Sequence, residues 1–67
     1  MELSARNSLR GVVKSVKLGA VMAEVVVDVS GQEVVAAITR SSVERMGIKE
    51  GDQVYAVVKA TEVMIGK

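Results

Sequence analysis

The chain has 67 residues, nine basic and eight acidic side chains for a net charge of +1, and no cysteine, histidine or tryptophan. These absences exclude disulfides, an imidazole- or thiolate-bound zinc, and Ser–His or Cys–His nucleophilic catalysis. The near-neutral balance is not the strongly basic footprint of a non-specific nucleic-acid binder, and no apolar run approaches the roughly 18 residues of a membrane span.

A domain of this size buries only about 60% of the surface its unfolded chain exposes. Without covalent or metal staples, subunit association is the remaining route to stability. The apolar content, 49% with fifteen valines and Tyr55 as the sole aromatic, points the same way. The runs Val25-Val26-Val27 and Val34-Val35-Ala36-Ala37-Ile38 do not alternate, and a strand that is apolar on both faces is buried on both. An obligate homo-oligomer is expected; the alternative is a tightly rolled small barrel with some valine exposed. The start, Met1-Glu2-Leu3-Ser4, lacks the basic and apolar regions of a signal peptide, so the expected location is cytoplasmic, with no membrane association.

In chain order, a first strand is expected from about Arg6 to Lys17, with Val12, Val16 and Leu18 on one face at period two. Gly11 marks a bulge or bend within it, and Gly19 makes a tight turn. A second strand spans Val21 to Val29. Ser30-Gly31-Gln32 is a hairpin signal, and a third strand follows from Glu33 to Thr39 or Arg40. Ser41-Ser42-Val43-Glu44-Arg45-Met46-Gly47 reads as one short helix. Ser41 is its expected N-cap, Glu44 completes a capping box, and Gly47 is the left-handed terminator with Ile48 folding back behind it. Glu50-Gly51-Asp52 is a turn. A fourth strand runs from Gln53 to Lys59 and a fifth from Thr61 to Ile65. The β-β-β-α-β-β order predicts an all-β fold, a five-stranded Greek-key barrel of OB type with one short helix between strands 3 and 4.

Few residues offer bond-making chemistry. Glu24 and Asp28 share a strand face, which reads as a solvated face or an intersubunit ion pair before it reads as a carboxylate dyad. No glycine pattern matches a phosphate-binding fingerprint, and one tyrosine cannot supply the stacking platform that single-stranded nucleic acid needs. Two polar segments remain. Ser4, Ala5, Arg6 and Asn7 stand near the start, and Lys59, Ala60 and Thr61 near the end. They offer two cations, two hydroxyls and an amide, with small neighbours that leave backbone N–H groups accessible. If the first and last strands are neighbours, this donor set suits a tetrahedral dianion. The competing reading is ordinary strand-edge residues and surface charges.

Four stretches carry a family resemblance: Ser-Ala-Arg-Asn-x-Leu-x-Gly-x-Val from Ser4 to Val13, Gly-Ala-Val-Met-Ala-Glu-Val from Gly19 to Val25, Ile-Thr-x-x-Ser-Val-Glu from Ile38 to Glu44, and Val-Tyr-Ala-Val-Val-Lys-Ala-Thr-Glu-Val from Val54 to Val63. In these the sequence resembles the molbindins, the small bacterial molybdenum–pterin-binding (Mop) proteins, and the TOBE-type domains of molybdate transporters and regulators. The resemblance implies a single Mop/TOBE-type domain over residues 1–67. It also implies a homohexamer, a trimer of dimers, that binds molybdate or tungstate at subunit interfaces without a catalytic cofactor. By that resemblance Ser4, Ala5, Arg6, Asn7, Lys59, Ala60 and Thr61 of one subunit face Gly19, Ala20 and Val21 of a neighbour. Met22 stands where many relatives have asparagine, which leaves backbone contacts only. A second class of site near the threefold axis implicates Thr39, Ser41, Ser42 and Val43. A helix start presents free N–H groups that suit an anion, against which stands Ser41 as a cap for its own helix.

The implied function is non-enzymatic oxyanion binding for intracellular storage and homeostasis. One alternative is a small dimeric DNA-binding transition regulator of the swapped-hairpin type, which shares the pattern Gly-Ile-Lys-Glu-Gly-Asp-x-Val seen from Gly47 to Val54. Another is a purely structural assembly module.

Overall fold

The computed structural model describes residue 4 and residues 6–67. Four antiparallel strands, β1 (Asn7–Leu18), β2 (Met22–Val29), β3 (Gln32–Thr39) and β4 (Gln53–Val58), form one sheet in the order β3-β2-β1-β4. A single helix, α1 (Arg40–Met46), joins β3 to β4, and a 3₁₀ turn (Ala60–Glu62) follows β4.

The long strand β1 organises the sheet by changing partners. Its first half pairs with β4, from Asn7 opposite Val58 to Val12 opposite Gln53. Its second half pairs with β2, from Val12 opposite Asp28 to Leu18 opposite Ala23. The register slips between Val13 and Ser15, so the bulge lies at Lys14 and not at Gly11. An extra residue in one strand re-aims every side chain beyond it. Before the bulge Val13 faces inward, 1% exposed, while Val12 is 43% exposed; beyond it the inward parity shifts to Val16. This corrects the expected face of Val12, Val16 and Leu18: of the three, only Val16 packs against the core, and Leu18 is exposed. The bulged Lys14 side chain donates to the Glu33 carboxylate, whose hydrogen bond and charge raise the lysine pKa. Both partners are largely exposed, and such surface pairs contribute little to stability. Gly11 has a different role from the one expected. A Cβ there would lie 2.6 Å from both the Asp28 carbonyl oxygen and Val27 Cγ1, so its missing side chain lets β2 cross closely over β1.

β2 and β3 are joined by the two-residue turn Ser30 and Gly31, both at positive φ, the handedness that matches twisted hairpin strands. Helix α1 starts one residue earlier than the sequence suggests. Its N-cap is Thr39, whose Oγ1 accepts from the Ser42 N–H at 3.1 Å. Ser41 is thus inside the helix, and no capping box forms. Glu44 instead faces Arg40 one turn away, with Nε 3.7 Å from Oε2. The other end is as expected. Gly47 adopts φ 63°, and the N–H groups of Gly47 and Ile48 bond back to Glu44 and Val43, closing the helix through a conformation that glycine takes without steric cost. Ile48 folds behind it against the core. Lys49 and Asp52 close the next turn, whose Gly51 and Asp52 backbone groups bond the N–H and C=O of Val13.

The core consists of Val13, Ala23, Val25, Val27 and Val43, with Val16, Val29, Ile38, Ile48 and Val54 packed at its margin. The sheet is not closed. The fifth strand expected from Thr61 to Ile65 is absent, because the chain turns after Lys59 and the Glu62 N–H closes on the Lys59 carbonyl instead of extending along β4. Residues 63–67 carry no regular structure, and Met64 and Ile65 are each 91% exposed. Between the sheet edges β3 and β4 lies an open apolar cleft of about 660 Å³, lined by residues that include Val25, Ile38, Val54 and Val57.

Replacing Gly11 with alanine forces β2 off β1. Urea unfolding is expected to show a loss of about 1–3 kcal/mol, the usual cost of overpacking.

Candidate functional site

Pairing of Asn7 with Val58 brings the chain start alongside the end of β4. There Ser4, Arg6, Lys59, Ala60 and Thr61 line one cleft of about 190 Å³. Five of the seven residues proposed for this part of the site are therefore together. Ala5 lies outside the described residues. Asn7 belongs to β1, is half-buried and is not among the lining residues. The cleft owes its shape to the 3₁₀ turn. Lys59 is extended, and the chain then coils so that the carbonyls of Lys59 and Ala60 accept from Glu62 and Val63. The first N–H groups of such a turn have no partner within it. Among the described residues no acceptor meets the amides of Ala60 or Thr61, and neither Arg6 nor Lys59 pairs with a carboxylate. Glu62 occupies the same turn but does not line the cleft. The result is a pocket furnished with hydrogen-bond donors and positive charge and, among the described residues, with no acceptor beyond the hydroxyls and backbone.

Gly19, Ala20 and Val21 lie elsewhere. They follow the far end of the twelve-residue strand β1, whereas the cleft lies at its start, and none of them lines it. The two groups do not meet within one chain. The turn itself is tightly fixed: Gly19 N–H donates to the Met22 carbonyl at 2.8 Å, Arg40 N–H to the Val21 carbonyl at 2.8 Å, and Arg40 Nη1 to the Gly19 carbonyl at 3.3 Å. Met22 begins β2 opposite Thr39, with its side chain exposed.

The hydroxyls at the start of α1 do converge. Thr39 Oγ1 donates to Ser42 Oγ at 2.7 Å and lies 3.3 Å from Ser41 Oγ. Val43 is different: its side chain is a core residue, so only its backbone faces this region. Thr39, by capping the helix, takes the role assigned to Ser41 and leaves the Ser41 hydroxyl the least committed of the three. Sequence reasoning did not single out Arg40. Its contact with Gly19 spans 21 positions, and no local pattern announces it. Among the described residues no group of three or more His, Cys, Asp or Glu side chains could hold a metal ion, and Glu24 and Asp28 are exposed on β2.

The sequence matches the TOBE domain family over residues 3–65. Molybdenum-pterin-binding protein 3 of Clostridium pasteurianum is 48% identical over 66 residues, 97% of each chain. Among solved structures, a molybdate-binding protein from Sporomusa ovata superposes with a TM-score of 0.95 at 48% identity, covering 100% of both chains. The cytoplasmic molybdate-binding protein ModG, solved with molybdate bound, gives a TM-score of 0.84 at 43% identity over 90% of this chain and 43% of its own. Nothing among these matches supports a DNA-binding transition regulator.

Thr39 and Ser41 are separable by stability. Thr39→Ala should cost about 1 kcal/mol by thermal or urea unfolding, the typical value of a lost N-cap, while Ser41→Ala should change stability by only a few tenths.

Proposed function

The chain belongs to the TOBE domain family, among the molybdenum-pterin-binding proteins, and on that premise we propose that it binds molybdate as an intact tetraoxoanion. The observation that carries the reading is the single cleft in which Ser4, Arg6, Lys59, Ala60 and Thr61 assemble. Arg6 and Lys59 supply charge-assisted bonds. The Ser4 and Thr61 hydroxyls and the amides of Ala60 and Thr61 supply neutral donors. Relatives named as molybdate-binding, one of them solved with the ligand bound, support the choice of anion.

The donor set suits an anion that only accepts. Molybdate and tungstate have acceptor oxygens alone at neutral pH. Phosphate is partly protonated there and would bring a donor into a site made of donors. Sulfate is also an acceptor-only dianion, so its rejection rests on size. Tungstate is close to molybdate in size, and the site treats the two alike.

One cleft is half of a site. Three small residues, Gly19, Ala20 and Val21, lie at the far end of β1 and supply the other half from a neighbouring subunit, with Ala5 and Asn7 flanking the first half. The assembly we propose is a hexamer built as a trimer of dimers. Closure of the barrel belongs to the same assembly. The order β3-β2-β1-β4 leaves β3 and β4 as edges with an apolar cleft between them, the place where a fifth strand completes a Greek-key OB barrel. Val63, Met64 and Ile65 form an exposed apolar tail suited to that place. Thr39, Ser41 and Ser42, with the Val43 backbone, form a second oxyanion site near the threefold axis. Anions bound between subunits favour the assembled state by mass action. The role is storage and homeostasis, not catalysis, in the cytoplasm. ModG is described as cytoplasmic, and no helix among the described residues is long and apolar enough to cross a membrane.

Calorimetric titration of molybdate tests the site. Arg6→Ala and Lys59→Ala should each weaken binding about 10- to 100-fold, the effect of losing one charged hydrogen bond, with an unchanged urea midpoint. Wild-type affinity in both variants would reject the assignment.

A further inference from the structure

A backbone turn can hold an oxyanion only if its N–H groups face the ligand and its carbonyls face away. In the turn at residues 19–21 the carbonyls of Gly19 and Val21 are held by contacts from inside their own chain. The Met22 carbonyl accepts from Gly19 N–H, the Val21 carbonyl from Arg40 N–H, and the Gly19 carbonyl from Arg40 Nη1. Among the described residues no acceptor meets the amides of Ala20 or Val21, and both residues are exposed. Both bonds to the turn's carbonyls come from Arg40, its main-chain N–H holding Val21 and its guanidinium holding Gly19.

We infer that Arg40 is a positioning residue of the oxyanion site, holding the 19–21 turn so that the Ala20 and Val21 amides point outward to an anion bound against a neighbouring subunit; the inference rests on the molybdate reading above. Arg40 is suited to the task by where it sits. It is the first residue of α1, directly after the capping Thr39, so its main chain is fixed by the helix start. Its guanidinium is planar and presents separate edges. Nη1 reaches the Gly19 carbonyl, while Nε stays 3.7 Å from the Glu44 carboxylate on the next helical turn. Arg40 thereby joins the 19–21 turn to the Thr39, Ser41 and Ser42 hydroxyl cluster. The charge also stands behind the turn, where it favours an anion in front of it.

The test titrates sodium molybdate by calorimetry into the wild type and into Arg40→Ala, Arg40→Lys, Glu44→Gln and Arg6→Ala, with ¹H–¹⁵N spectra following the Ala20 and Val21 amides. Arg40→Ala should weaken binding about tenfold, and Glu44→Gln, which removes only a surface helix pair, should stay within about twofold. Arg40→Lys should fall between the wild type and Arg40→Ala, because an ammonium keeps the charge without the fork. The ligand-free spectrum of Arg40→Ala should show displaced Ala20 and Val21 resonances, which a role in overall stability alone would not produce. Wild-type affinity in Arg40→Ala alongside weakened Arg6→Ala overturns the inference and leaves the oxyanion site standing. So does weakened binding with unmoved Ala20 and Val21 resonances. If Arg40→Ala does not fold, Arg40→Lys decides, and full affinity there assigns the effect to charge and overturns positioning. A wild type that does not bind molybdate, or an Arg6→Ala that binds it fully, overturns the oxyanion reading and this inference with it.

Discussion

The shortage of buried volume is the constraint on which the rest of the structure depends. Among the described residues five side chains, none larger than valine, form the buried core, and a sheet of four strands must be held by them. Meanwhile Val35, Met46, Tyr55, Met64 and Ile65 stay exposed. Small domains are marginal because their surface is large for their volume, and this one has neither disulfides nor aromatic bulk to offset it. Large exposed apolar area is the mark of an interaction surface. The unclosed sheet has the same character, since unpaired edges β3 and β4 invite pairing from another chain.

The proposed anion site inherits this incompleteness. β1 spans the molecule, with donor groups gathered at its beginning and a donor-presenting turn at its end. Pairing of Asn7 with Val58 brings Arg6 and Lys59 together, which places two like charges in one cleft with no carboxylate pairing them among the described residues. Such a cleft is electrostatically unfavourable when empty and favourable when a dianion fills it. In this account, binding the oxyanion and assembling the subunits are one event: the anion relieves repulsion within a subunit, and the neighbour's turn supplies the remaining donors.

Much of this was legible in the sequence wherever a local rule decides. Ser30 and Gly31 make the hairpin, Gly47 with Ile48 ends the helix, and the valine-rich segments give β2, β3 and β4 nearly to the residue. Where a distant contact decides, the sequence misleads. The bulge falls at Lys14, where β1 changes partners, and Gly11 is needed for the close crossing of β2, not for the bulge. Thr39, Ser41 and Ser42 can all cap a helix; the Arg40 N–H bond to the Val21 carbonyl, nineteen positions away, goes with the earlier start and makes Thr39 the cap. The pattern at Val63, Met64 and Ile65 reads as a strand, yet the chain turns away after Lys59 and these residues pair with neither free edge of their own sheet. For the site, residue types alone suggested the donors, β1–β4 pairing explains their convergence, and Arg40 was invisible because its partner is remote.

Native mass spectrometry with and without molybdate reads subunit number and bound anions together, and so tests whether each subunit holds half a site. A hexamer is expected, with molybdate retained on the assembled species and the ligand shifting any smaller species toward it. A folded monomer that retains molybdate by itself would contradict a shared site, because one subunit would then hold a complete one.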